Sequence, residues 1–183
     1  MTDKMVNGIM FIVAGLGSIA AYMILGETGI LDKSHTEKIA AYGLITIPLA
    51  FMMTRKVVKN TFLDSGLLVI IVGLTMGLIS DAINSAELGA ESKSIGEVIA
   101  WTAWSIMYFG IFLSGLGYLR TNLFPQWLSG LLSFTSFAMF AFLVLLNGDQ
   151  LSNNSNIVPP LWMLNSLVLV ILGVFTMRRA QES

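Results

Sequence analysis

Six times between residues 5 and 177 the chain returns to a long apolar run, and only short polar gaps separate one run from the next. A hydrocarbon core about 30 Å thick is crossed by roughly 20 helical residues. The runs cover residues 5–26, 39–55, 64–83, 97–119, 125–146 and 158–177. In lipid a backbone segment must satisfy its own N–H and C=O groups unless a barrel closes, and these runs lack the alternation of barrel strands. The pattern predicts an all-α integral membrane protein, a six-transmembrane-helix bundle formed as one domain over residues 1–183. Composition agrees, with 55% hydrophobic and 11% charged residues, against roughly 45–50% and 25% in soluble domains. The first run exceeds the apolar core of a secretory signal, so it is read as a retained helix.

The sign of the charge alternates from gap to gap. With six spans, one face collects Lys4, Arg55, Lys56, Lys59, Arg120, Arg178 and Arg179, and the other only Lys33, Lys38 and Lys93. Acids run the opposite way: Asp3, Asp64 and Glu182 against Glu27, Asp32, Glu37, Asp81, Glu87, Glu91, Glu97 and Asp149. Lys and Arg in short loops stay inside, which predicts cytoplasmic N- and C-termini in a prokaryotic inner or plasma membrane. The cluster Arg55, Lys56 and Lys59 reads as a topology anchor touching anionic head groups, too small to argue for nucleic acid. Aromatic residues fit this layout as interfacial belts, with Trp101, Trp104, Trp162, Tyr22 and Tyr42 at the outer side and Tyr118 and Trp127 at the inner.

Cysteine is absent and His35 is the single histidine. Disulfides, thiolate metal sites, paired haem ligands and multi-histidine metal cages are therefore beyond this chain alone, and no cofactor or metal is expected. His35, between Asp32 and Glu37, reads as a solvated residue of the first outer loop. The gap NGDQLSNNSNIVPP (147–160) reads as a polar outer loop whose Pro159 and Pro160 suit a helix start; Asn153, Asn154 and Ser155 within it match a short, common glycosylation sequon. VIIVGLTM (69–76) and VILGVFTM (170–177) share four of eight positions, a faint sign of inverted halves.

Asp81, in GLISDAINS (77–85), is the acid that lipid should exclude. The plain reading, which the sequence favours, is a carboxylate at a helix end touching water or Lys38. The sharper one turns it inward to bind a cation or proton, or to accept a bond from an indole. In WTAWSIMY, Trp101, Trp104 and Tyr108 share one helical face, and Trp162 and Asn165, three apart, pair an indole with an amide on another span. Together these six residues suggest an outward-facing aromatic and polar pocket; the plainer alternative is a belt plus interhelical bonds from Asn165. Gly73 with Gly77, Ala14 with Ser18 and Gly110 with Ser114 are small-residue pairs suited to close helix packing. Pro48 should kink the second span, with Thr46 near enough to help satisfy the freed backbone. No triad, phosphate loop or paired intramembrane carboxylates point to an enzyme.

At the fourth-to-fifth junction, GLGYLRTNLFPQWLSGLL (115–132), a helix ends at Arg120 and a short polar turn leads to Pro125, Trp127, Leu128 and Gly130. This resembles a junction in a family of small bacterial and archaeal membrane proteins of about six to seven spans and unknown function. The resemblance implies the layout and no activity. Function is left between two expectations: a non-enzymatic module that binds a lipophilic ligand or lipid, or serves as accessory subunit of a membrane complex; and a small transporter or channel using Asp81. The expected partners are the lipid bilayer, a lipophilic small molecule, and a membrane protein partner or a second copy, with no nucleic acid.

Overall fold

A computed structural model describes residues 2–26, 28–86, 89–146, 150 and 157–181. The sequon at Asn153–Ser155, most of the loop 147–160, and Glu27, Glu87, Asp149 and Glu182 lie outside the described residues. No strand occurs among those described. Six helices follow one another: α1 (Asp3–Ile19, continuing as a π-helical stretch Ala20–Gly26), α2 (Lys33–Arg55), α3 (Thr61–Ser85), α4 (Ala90–Leu119), α5 (Gln126–Leu145) and α6 (Val158–Gln181). All but α2 are long and apolar enough to cross a membrane, among the described residues.

α2 falls outside that set because it begins with KSHTEK. Asp32 caps it, accepting the backbone N–H of His35 at 2.8 Å, so the helix starts six residues before the apolar run. His35 thus stands on a first helical turn and not in a loop, its Nδ1 2.7 Å from Asp32 Oδ1. The His35 N–H and the ring beside it hold the Asp32 carboxyl below its usual range. Pro48 lies inside α2, and the Thr46 hydroxyl donates to the Gly43 carbonyl at 2.6 Å.

Each helix packs on its neighbours in the chain, and α6 closes onto α1, so the six form a ring in sequence order. Glycine sets the spacing at several of these seams. An added Cβ on Gly73 of α3 would lie 2.4 Å from the Met107 nitrogen of α4, and one on Gly110 would lie 2.6 Å from the Ile70 nitrogen. Between α1 and α6, Gly8 and Gly173 face each other's backbone, and Gly15 meets the Ser166 carbonyl; Gly17 meets Gly43 where α1 crosses α2. Such approaches bring backbones into van der Waals contact, the main attraction available between helices in lipid. The small pairs noted in the sequence therefore pack the bundle internally.

Side chains turned out of the ring are apolar in large part. On α2 the buried face is Ala40, Leu44, Ile47, Ala50 and Phe51, at helical spacing, whereas Ile39, Tyr42, Ile45, Leu49 and Met52 are exposed. At one end of the ring Arg55 pairs with Asp64, Arg120 lies 4.4 Å over the Phe62 ring, Lys4 reaches the Arg179 carbonyl, and Arg179 reaches the Asn122 carbonyl.

Candidate functional site

The ring leaves its hollow spaces at its two ends, with packed side chains between. Toward the α1 C-terminus lies a chamber of about 310 Å³, of the size that small-molecule pockets take. Trp101, Trp104 and Tyr108, spaced three and four residues apart along one face of α4, form one wall; Trp162 of α6, Tyr22 of the π-helical stretch after α1 and Met139 of α5 form others. Trp162 meets Tyr22 edge-on, ring centroids 6.5 Å apart. The Trp104 indole lies over Gly77, where a Cβ would approach it to 2.6 Å. The second glycine of the GxxxG pair thus makes room for an aromatic wall, while the first lets the two backbones touch.

Outside the chamber, and sharing Tyr22, Trp101, Trp104 and Leu143 with it, is a larger vestibule of about 1040 Å³. Here Glu37, Asp81 and Glu97 arrive from three helices. Tyr22 donates its hydroxyl to Glu37 Oε2 at 2.6 Å. The π-helical stretch that carries Tyr22 has wider turns than an α-helix, and insertions of this kind re-aim side chains, often at functional sites. Asp81 is only 7% exposed, and its Oδ2 has no hydrogen-bond partner. It sits within electrostatic reach of Glu37 and Tyr22. The preceding residue, Ser80, donates to the Gly96 carbonyl at 2.7 Å, fixing α3 against α4 at this depth. Glu97 belongs to the rim, exposed and 3.8 Å from Lys93.

Of the six residues singled out from sequence, Trp101, Trp104, Tyr108 and Trp162 wall the chamber, and Asp81 shares the vestibule with the first two. Asn165 lines neither the chamber nor the vestibule. Its amide nitrogen donates to Thr135 Oγ1 at 3.0 Å and Ser136 Oγ at 2.7 Å, tying α6 to α5, and it borders a void of about 20 Å³ that Tyr108 and Trp162 also line. Glu37 and Tyr22 are site residues that the sequence reading missed. Both were legible as outer polar groups, but nothing in the sequence tells which way they turn.

The aromatic belt divides likewise. Tyr42, 75% exposed, and Trp127, 58% exposed, face outward as belt residues do, whereas Tyr22, Trp101, Trp104 and Trp162 line the interior. Tyr118, read as an inner belt residue, is fully buried: it stacks on Phe51 at 6.0 Å, meets Phe124 edge-on at 4.9 Å and shares a 2.6 Å hydrogen bond with Thr54. With Phe11, these rings fill the middle of the bundle toward the basic end. Beyond them is a hollow of about 260 Å³ lined in part by Lys4, Lys56 and Arg179.

These features define a class: an all-helical ring, five of its helices fit to cross a membrane, closed around an aromatic chamber behind an acidic vestibule. Comparison of the chain with models of known families, with curated proteins and with solved structures finds no match.

Proposed function

We propose that the protein is a six-span membrane protein of the prokaryotic inner membrane, with both termini cytoplasmic, and that it works without catalysis by binding a lipophilic small molecule in its aromatic chamber. The observation that carries this reading is the chamber itself, a space of about 310 Å³ inside the ring whose walls come from all of α1, α2, α4, α5 and α6 and are mostly aromatic or aliphatic. An apolar body gains roughly 25 cal/mol for each Å² of surface that it removes from water, and a pocket needs only a few polar groups to orient it. Inclusion of α2 among the spans is supported by its place in the ring and by the apolar residues on its outward face. Its 23 residues extend about 34 Å. The orientation is supported by the excess of Lys and Arg at one end.

The chain contains no cysteine, so single cysteines can be introduced at Ser34 and Lys59 without a background. In intact cells an impermeant maleimide is expected to label Ser34→Cys and to spare Lys59→Cys; labelling of both from the same side would show that α2 does not cross.

The chamber is tested with neopentylbenzene, a neutral probe, and the protein in nanodiscs, read by the fluorescence of Trp101, Trp104 and Trp162 in a Trp127→Phe background. Binding should saturate, and Trp104→Ala should weaken it about tenfold, as loss of a central aromatic contact does. A linear, unsaturable response shared by both proteins would remove the reading.

A second reading, transport, has one observation in its favour. The acidic vestibule and the basic hollow face opposite ends of the ring and are parted by the Phe11, Phe51, Tyr118 and Phe124 rings.

A further inference from the structure

The vestibule says what kind of molecule the chamber would take. Among its described lining residues are three acids, Glu37, Asp81 and Glu97, and no base. Lys93 of α4 is paired with Glu97 at the rim, and deeper in Glu37 and Asp81 repel each other with no Lys, Arg or His among the described lining residues. Asp81 is the telling member. A carboxylate more than nine-tenths buried, with one oxygen bonded to nothing, carries most of its desolvation cost uncompensated. A second carboxylate nearby adds repulsion to that cost. Both terms are relieved together by a positive charge lodged between them.

A bare metal ion fits this arrangement poorly. No group of three or more His, Cys, Asp or Glu side chains converges as ligands among the described residues. What stands beside the two acids is aromatic: Tyr22, Trp101 and Trp104 belong at once to the acidic vestibule and to the apolar chamber. Ring faces attract a cation that is not strongly hydrated, and more so where water is excluded. Tyr22 is held in place by donating its hydroxyl to Glu37, so that ring and carboxylate present themselves as one unit.

We propose that the ligand of this site is a lipophilic organic monocation of the quaternary or tertiary ammonium type. Its charged head sits at Glu37 and Asp81 against the Tyr22, Trp101 and Trp104 rings, and its apolar body fills the chamber toward Trp162 and Tyr108. This inference rests on the chamber reading above and adds the charge.

The test compares two probes of nearly the same shape, benzyltrimethylammonium and neopentylbenzene, which differ by a nitrogen cation in place of a carbon. In nanodiscs, with the same tryptophan readout, the cation is expected to bind at least about tenfold tighter than the neutral probe, a margin consistent with one ion pair plus ring contacts. Glu37→Gln and Asp81→Asn should each erase most of that margin, read in each variant as the ratio of its affinities for the two probes. The comparison of probes on the unaltered protein needs no variant, so a substitution that fails to fold does not spoil it. Equal affinity for the two probes would overturn the charge and leave the chamber standing. Failure of both to saturate would remove the chamber and the charge with it.

Discussion

Replacing Gly73 by alanine is expected to lower the thermal midpoint of the detergent-solubilised protein, at a cost of about 1–3 kcal/mol, the range for overfilling a packed interior. The new methyl would stand 2.4 Å from the Met107 nitrogen and 2.8 Å from the Ala103 carbonyl oxygen. Both are backbone atoms of a continuous helix and cannot step aside, so α3 and α4 must separate along their length. Gly110→Ala should act in the same direction, because its methyl would meet the Ile70 nitrogen at 2.6 Å. Gly130 supplies the control. It too is helical, but a methyl there finds nothing nearer than Leu119 Cδ2 at 3.9 Å, and the gain in helix propensity favours alanine by roughly 0.5–1 kcal/mol. Circular dichroism melts of the three variants decide the matter: a Gly73→Ala midpoint no lower than that of Gly130→Ala would refute the close α3–α4 seam.

Asp81→Asn should do the reverse and raise the midpoint of the ligand-free protein at mildly alkaline pH. The substitution keeps the shape and removes a buried negative charge beside Glu37 from a group one of whose oxygens has no partner. Replacing an uncompensated buried charge by a neutral amide relieves about 1–3 kcal/mol, because an unsatisfied buried group costs more when it is charged. Few substitutions of a buried polar residue stabilise, so the sign is the informative part. Stability held in reserve against binding is the usual signature of a site rather than of a scaffold. A midpoint that falls would show that the Asp81 carboxylate is compensated in the folded protein.

What the sequence disclosed and what it hid divide along one physical line. Depth can be counted from residue number at 1.5 Å per helical residue, and the helix ends emerged to within about four residues except at the polar starts of α2 and α4, which begin six and seven residues before the apolar runs; the shared face of Trp101, Trp104 and Tyr108 emerged as well. Azimuth is another matter, since which way a face points depends on how the ring closes. Tyr22 sits at belt depth but turns inward, on a π-helical stretch that no periodicity of 3.6 anticipates. Asn165 lies near the expected depth but turns toward Thr135 and Ser136. Glu37 escaped notice for a different reason: the charges of KSHTEK mask a helix that its Asp32 cap starts early, and only a helix there carries Glu37 to the interior side.

The ring order bears on how such a protein is assembled. As the helices form in order, each one from α2 onward meets the neighbour that preceded it, so most seams are made between segments adjacent in the chain and little loop entropy stands in the way. The exception is the seam of Gly8, Gly15 and Gly173, whose two halves, α1 and α6, are the most widely separated in the chain of the six helices described. One flank of α1 therefore stays bare until α6 arrives, and the ring acquires its closing wall only with that late, long-range seam.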